Sequence, residues 1–154
     1  MSSMTKAADF TLNDSNNDDV TLSDFQEDKN VVLLFFPLAF SGVCTKELCT
    51  TRDNLKIYNS LDAEVLAISI DSFFTLKAFK ESNNLNFTLL SDFNKKVSAK
   101  YDVLYDDYFG MKGVSKRAVF VIDKKGNIVH KEVLEDSGKI PDLAKVQEIL
   151  ASLG

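Results

Sequence analysis

Cys44 and Cys49 are the two cysteines of this sequence, and a cysteine side chain can act as a nucleophile. Cys44 lies just after a predicted buried strand, in the first turn of a predicted helix. The unpaired backbone N–H groups and the macrodipole of a helix start favour an anion, here a thiolate. Because the thiolate is the nucleophilic form of cysteine, this position predicts an activated Cys44. The spacing alone equally allows Cys44 to be a small buried hydrophobe.

Two polar residues near Cys44 are candidates for supporting a thiolate. Ser41 stands three residues earlier and has a hydroxyl that can donate a hydrogen bond. Arg52 stands eight residues later, close to the same helix face, and helical side chains lean toward the helix N-terminus. We therefore expect its guanidinium to tilt toward Cys44. A solvated side chain or an ion pair with a nearby acid is the alternative for Arg52.

Strands and helices alternate along the chain that positions these residues. The segment 31–36 contains six apolar residues in a row, which is typical of a central strand covered on both faces, and Pro37 ends it. Strands are predicted at 9–12, 20–22, 31–36, 64–70, 87–90, 118–123 and 128–133. Helices are predicted at 43–60, 72–83, 94–101 and from residue 141 onward.

This alternation predicts an α/β fold, with a central sheet flanked by helices on both faces. The turn at 124–127 makes the last strand pair antiparallel, so the sheet is expected to be mixed. The Asn- and Asp-rich segment 13–19 predicts an N-terminal β-hairpin. By analogy between folds, the whole suggests a thioredoxin-like arrangement. Without a repeat or a linker, residues 1–154 are expected to form a single domain.

Composition narrows the possible functions. The net charge of −5 argues against a broad basic surface for nucleic acid or anionic membranes. The longest apolar run, residues 31–40, contains a proline and is too short to span a bilayer. The N-terminus lacks the pattern of a signal peptide, which predicts a cytoplasmic location. Two cysteines do not form a disulfide framework and, in a reducing compartment, suggest redox chemistry, a metal site or packing.

Pro37-x-x-x-Ser41-x-x-Cys44 is similar to the active-site motif of the peroxiredoxins, Pro-x-x-x-Thr/Ser-x-x-Cys. The segment 44–53, C-T-K-E-L-C-T-T-R-D, looks like the bacterioferritin comigratory protein (peroxiredoxin Q) branch. The tripeptide Leu-Ala-Phe at 38–40 is closer to the alkyl hydroperoxide reductase E-like branch. Further similarity at 69–72, 90–92 and 116–123 extends the resemblance over nearly the whole chain.

The resemblance implies a thiol peroxidase that reduces hydrogen peroxide and organic hydroperoxides. In that family the cysteine matching Cys44 attacks the peroxide and becomes a sulfenic acid. The residues matching Ser41 and Arg117 bind and polarise the peroxide, and the one matching Pro37 shields the thiolate from water. A second cysteine five residues on, here Cys49, forms an intramolecular disulfide that thioredoxin or a glutaredoxin-like protein reduces.

Glu47 lies within the matching segment and is expected, like Arg52, to support the site. No metal and no cofactor are implied, and the chain is expected to be a monomer or a homodimer.

Two departures from the family's motif leave the branch of the family open. Ser41 replaces the commoner threonine and keeps its hydroxyl, whereas Gly42 replaces a frequent proline and adds backbone freedom.

Three other functions compete with this one. A hydrolase would pair Cys44 with His130, the only histidine, which is predicted to lie in a strand. A zinc module would need a carboxylate in addition to two cysteines and one histidine. A holdase or redox sensor would use the aromatic segment 104–114 as an exposed apolar loop or a dimer patch. That segment is equally compatible with a loop packed on its own core or lining the peroxide pocket.

Overall fold

The structure is a computed structural model that describes residues 5–153. Within this range the strands are β1 (Thr5–Lys6), β2 (Thr11–Asp14), β3 (Asp19–Thr21), β4 (Asn30–Phe35), β5 (Ala63–Ser69), β6 (Thr88–Ser91), β7 (Arg117–Ile122) and β8 (Asn127–Leu134). The helices are α1 (Gly42–Asp53), α2 (Leu55–Ser60), α3 (Phe73–Ser82), α4 (Lys96–Lys100) and α5 (Leu143–Leu153), and a 3-10 helix spans Leu22–Phe25.

The strands form one mixed sheet in the order β1-β8-β7-β4-β5-β6-β2-β3. β4 pairs in parallel with β5, and β5 with β6. β7 pairs antiparallel with both β4 and β8. The predicted α/β fold with a central mixed sheet is confirmed.

β4 is the central strand that the apolar run predicts, and all six of its residues are buried. Its side chains alternate between two cores: Val32 and Leu34 belong to one, and Leu33 and Phe35 to the other. Burial on both faces explains why the run is continuously apolar. β4 therefore ends at the edge of the sheet that is formed by the carboxyl ends of its parallel strands, and Cys44 follows shortly after it in the chain.

Helices cover both faces of the sheet, as predicted. The core that contains Cys44 includes buried side chains of α1, α2, α3 and α5, such as Leu48, Tyr58, Phe79 and Leu150. The opposite core contains Val97 of α4 together with the N-terminal segment. Cys44 thus belongs to the layer between β4 and the larger helices.

The single helix predicted at 43–60 is wrong, because the structure contains two helices that meet at Asn54. Asn54 leaves the helical conformation, with φ −107° and ψ 11°. Its side-chain amide donates to the carbonyl of Thr50, and its backbone N–H is shared between the carbonyls of Thr50 and Thr51. Local side-chain bonding of this kind competes with helix continuation. Cys44 and Cys49 nevertheless lie in one helix, α1.

Both predicted hairpins are present, with the N-terminal strands displaced by one or two residues. Asp14 closes the β2–β3 turn by accepting from the backbone N–H of Asn16 and Asp18. Asp123 plays the same part in the β7–β8 turn, and Gly126 adopts the left-handed conformation there, with φ +84°.

Candidate active site

Cys44 is the third residue of α1 and is completely buried. Ser41 is the N-cap of that helix and has an extended backbone, but its side chain makes no capping hydrogen bond. The first-turn N–H groups near Cys44 therefore have no side-chain cap. This confirms the position predicted for Cys44 in the first turn of a helix, at the carboxyl edge of a central strand.

Arg117 meets Cys44 from the neighbouring strand. It is the first residue of β7, and the antiparallel pairing of Phe35 with Ala118 places it beside the end of β4. Its Nη2 donates to the Cys44 Sγ at 3.2 Å, and its side chain is only 1% exposed. A buried guanidinium donor on a cysteine sulfur stabilises the thiolate.

Glu47 holds the other side of the guanidinium. It lies one turn after Cys44, is completely buried, and accepts from the Arg117 Nη1 at 2.8 Å. Burial raises the pKa of Glu47 to about 7, while the charge of Arg117 opposes this rise. Burial also lowers the pKa of Arg117, but Cys44 and Glu47 outweigh it, so that the pKa is raised overall.

One positive charge thus faces two groups that can become anions, the Cys44 thiol and the Glu47 carboxyl. When both are ionised, the buried cluster with Arg117 carries a net negative charge, which a low-dielectric interior disfavours. The Glu47 Oε2 has no hydrogen-bond partner among the described residues, which makes its ionised form less favourable still. Glu47 therefore competes with the thiolate for Arg117.

Glu47→Gln is expected to remove a pH-dependent loss of stability. The pKa of Glu47 is higher in the folded chain, about 7, than its ordinary value of 4.5, so the native state binds more protons between these values. Stability then falls as the pH rises through this window, by about 3 kcal/mol at most, because one pKa unit is about 1.4 kcal/mol. Glutamine retains an acceptor for Arg117 but does not titrate.

Urea unfolding at about pH 5 and about pH 8 measures this difference. Wild type should lose stability relative to Glu47→Gln on going to the higher pH. A constant difference between the two proteins would contradict the buried, titrating carboxyl.

The loop between β4 and α1 carries Pro37 and Ser41. Pro37 is buried. The Ser41 hydroxyl donates to the Leu38 carbonyl at 2.8 Å, so it has to rotate before it can donate to a thiolate or a ligand. The left-handed residue of the loop is Phe40, with φ +68°, whereas a side chain at Gly42 would meet nothing within 4 Å.

Asp71 anchors this loop and was not predicted as a site residue. Its Oδ2 accepts from the backbone N–H of Ala39 at 2.8 Å and from the Ser69 hydroxyl at 2.7 Å. Its own carbonyl accepts from the Ser91 hydroxyl at 2.6 Å. The signal available in the sequence was a polar Ser-x-Asp at the carboxyl end of a strand, the edge at which sites in α/β sheets form.

Arg52 does not tilt toward Cys44 as predicted. Its guanidinium donates to the Asp53 carboxylate and to the Asn83 carbonyl. Eight residues of helix leave it about 80° around the axis from Cys44, so nearer oxygen acceptors hold it elsewhere. Cys49 lies in the same region, half-buried, with its Sγ donating to the Asn83 Oδ1 at 3.7 Å. Arg52 is therefore a neighbour of Cys49.

The residues of the competing functions lie apart from Cys44. His130 in β8 pairs with Val121, four residues along β7 from Arg117, a separation of about 13 Å along the strand. Within residues 5–153, no group of three or more His, Cys, Asp or Glu side chains is placed to hold a metal ion. Over the same range, no helix is long and apolar enough to cross a membrane.

The aromatic segment 104–114 is partly packed and partly exposed. Bridges join Leu104 to Ser115 and Tyr108 to Met111, so the segment folds back on itself. Tyr105 and Tyr108 are half-buried and stacked, with ring centroids 4.9 Å apart. Phe109 at the tip is 86% exposed.

The family model and the relatives that match this chain all indicate one protein family. Residues 4–131 match the AhpC/TSA family. Alkyl hydroperoxide reductase E of Mycobacterium tuberculosis is 38% identical over 149 residues, which cover 96% of this chain and 94% of that protein. The chloroplastic peroxiredoxin Q of Triticum aestivum is 41% identical over 117 residues, which cover 76% of this chain and 52% of that protein.

Solved structures share the fold. The crystal structure of peroxidoxin BcpB from Mycobacterium tuberculosis superimposes with a TM-score of 0.88 at 30% identity, covering 100% of this chain and 99% of that one. The reduced 2-Cys peroxiredoxin of Plasmodium vivax gives a TM-score of 0.86 at 30% identity, covering 96% of this chain and 79% of that one. These similarities confirm the thioredoxin-like arrangement expected from the sequence.

Proposed function

This chain belongs to the AhpC/TSA family and is a thiol-dependent peroxidase of the peroxiredoxin Q type, and from this premise we propose that Cys44 is the thiol that attacks the hydroperoxide. The observation that carries the proposal is the hydrogen bond from the Arg117 Nη2 to the Cys44 Sγ, 3.2 Å long and buried. It places a permanent positive charge and a directed donor on the sulfur that must act as a nucleophile.

The proposed reaction needs only the thiolate and the peroxide. The Cys44 sulfur attacks one peroxide oxygen, an S–O bond forms and the O–O bond breaks. The sulfur is oxidised to a sulfenic acid, and the other oxygen leaves as an alkoxide or hydroxide that takes up a proton. Negative charge moves from sulfur to the leaving oxygen, and the Arg117 donors beside the buried sulfur stabilise it. Ser41 would donate to the peroxide after leaving Leu38, and Pro37 would exclude water.

Organic hydroperoxides are proposed as substrates alongside hydrogen peroxide. The support is the relative named alkyl hydroperoxide reductase E, which matches 96% of this chain. Consumption of hydrogen peroxide and of an alkyl hydroperoxide by the reduced protein, with a thioredoxin system as electron donor, tests the function. Thioredoxin or a glutaredoxin-like protein is the proposed reductant, and a cytoplasmic location stays a prediction.

Cys49 is proposed to resolve the sulfenic acid on Cys44. The two cysteines are five positions apart in α1, so their Cα atoms are separated by about 7.5 Å along the axis and by about 140° around it. A disulfide needs Cα atoms within about 7 Å, so α1 must unwind before the bond forms. The hydroxyls of Thr45, Thr50 and Thr51 bond back to carbonyls four residues earlier, a pattern that slightly destabilises helices.

Cys49→Ser is expected to stop the cycle at the sulfenic acid. Peroxide should convert wild type into an intramolecular disulfide between Cys44 and Cys49, identified by mass spectrometry, with faster hydrogen exchange across α1. The variant should react with the first equivalent of peroxide at the wild-type rate but turn over slowly with thioredoxin. Normal turnover of Cys49→Ser, with only sulfenic or sulfinic acid at Cys44 in oxidised wild type, would identify a one-cysteine enzyme instead.

A further inference from the structure

The turn that follows β8, residues 135–138, contacts the Arg117 guanidinium from outside the matching motif. The carbonyl of Ser137 accepts a hydrogen bond from the Arg117 Nη2 at 2.9 Å. The same nitrogen donates to the Cys44 Sγ. Because one nitrogen serves both acceptors, the position of the Ser137 carbonyl directs the donor that faces the sulfur.

Two tyrosines of the aromatic segment 104–114 hold this turn. The Tyr108 hydroxyl donates to the Ser137 Oγ at 3.0 Å, and the Tyr105 hydroxyl donates to the Glu135 carbonyl at 2.7 Å. Stacking of the two rings fixes their hydroxyls relative to each other. The aromatic segment is thus connected to Arg117 through Ser137, by two successive hydrogen bonds.

Little else positions the turn. β8 ends at Leu134, so the turn has no sheet pairing. Its internal bonds run from the N–H of Gly138 and of Lys139 to Asp136, which shape the turn without anchoring it. The Lys116–Glu135 ion pair involves a carboxylate that is 77% exposed, and exposed pairs contribute little. Besides the Arg117 guanidinium, the two tyrosine hydroxyls are therefore the main contacts that hold the turn, with the Tyr108 bond partly buried and the Tyr105 bond exposed.

We propose that Tyr108, supported by Tyr105, is a positioning residue for peroxide reduction: it fixes the Ser137 turn, whose carbonyl directs the Arg117 Nη2 at the Cys44 sulfur. This inference rests on the function proposed for Cys44 and Arg117. It gives the two half-buried tyrosines of the aromatic segment a role in the reaction, although neither tyrosine touches the reacting atoms.

Tyr108→Phe removes the hydroxyl and keeps the ring stack, so it isolates the hydrogen bond to Ser137. The rate of Cys44 oxidation by hydrogen peroxide should fall by about fivefold, the factor that corresponds to one hydrogen bond. The Cys44 thiolate, followed by its ultraviolet absorbance, should form at higher pH than in wild type. Ser137→Ala should reproduce both changes, and the double variant should be no slower than either single one. Ser137→Thr, which keeps the hydroxyl, should react close to the wild-type rate.

Tyr101→Phe is the matched control. It removes a tyrosine hydroxyl that donates to the Ala8 carbonyl at 2.7 Å, in the core on the opposite face of the sheet. It should lower thermal stability while leaving the oxidation rate and the thiolate titration unchanged. The inference is overturned if Tyr108→Phe matches wild type in both measurements, or if Tyr101→Phe is equally slow. Wild type that does not reduce peroxide at all would overturn the proposed function itself, which separates the two failures.

Discussion

Cys44→Ser is expected to reduce peroxide no faster than the uncatalysed background. A serine hydroxyl is not ionised near neutral pH, and the neutral hydroxyl is a weak nucleophile unless a base activates it. The described hydrogen bonds of Cys44 supply a cationic donor, Arg117, and no base. The buried position that supports a thiolate therefore gives serine no route to an alkoxide.

Single-turnover consumption of hydrogen peroxide by the reduced variant measures this effect. Cys49→Ser serves as the control, because it removes the other thiol of the chain and should retain the first reduction event. Peroxidase activity of Cys44→Ser above a trace would contradict the assignment of Cys44 as the attacking thiol. Failure of Cys49→Ser to reduce the first equivalent of peroxide would indicate Cys49 as the attacking thiol instead.

Arg117→Ala is expected to slow the oxidation of Cys44 by about 10²- to 10³-fold, the usual effect of removing one charge-stabilising donor. The same change should move thiolate formation to higher pH, because the positive charge next to the sulfur is lost. Removal of Arg117 also leaves Glu47 buried without its partner, which favours the protonated carboxyl. Arg117→Lys should recover only part of the oxidation rate. Lysine keeps the positive charge, but its single ammonium nitrogen lacks the planar fork of donors with which the guanidinium contacts several acceptors at once.

Arg52→Ala provides the matched control for charge. Arg52 is the other arginine, and its guanidinium is held by Asp53 and Asn83. Its loss should leave the first oxidation step and the thiolate titration at wild-type values. If Arg117→Ala keeps its fold by circular dichroism and shows an unchanged rate of Cys44 oxidation and an unchanged thiolate titration, Arg117 has no role in the reaction.

The sequence predicted those parts of the site that depend on local order. The apolar run of β4, the proline after it and a cysteine in the first helical turn are local features, and each takes the predicted position. Arg117 is different, because it reaches Cys44 across 73 residues of sequence through antiparallel strand pairing. No spacing rule connects these two residues, and only the resemblance to peroxiredoxins indicated Arg117.

Side-chain competition accounts for what the sequence did not predict. Asn54 breaks the long predicted helix by bonding to the carbonyl of Thr50. Helical spacing predicted Arg52 near Cys44, but the Asn83 carbonyl at the end of α3 accepts a hydrogen bond from the Arg52 guanidinium and holds it away. The hydrogen bond between Tyr108 and Ser137 joins two loops. The hydrophobic periodicity of the sequence predicts helices and strands, but it does not predict how two loops lie relative to each other.

Whether Cys44 is the thiol that reacts with peroxide is tested by adding one equivalent of hydrogen peroxide to fully reduced wild-type protein. Mass spectrometry then identifies which cysteine has lost its thiol while the remaining peroxide is assayed. The proposed role of Cys44 requires that the peroxide is consumed stoichiometrically and that oxidation is found at Cys44, as a sulfenic acid or as its disulfide with Cys49. Peroxide that persists, or oxidation of Cys49 while the Cys44 thiol stays intact, would contradict it.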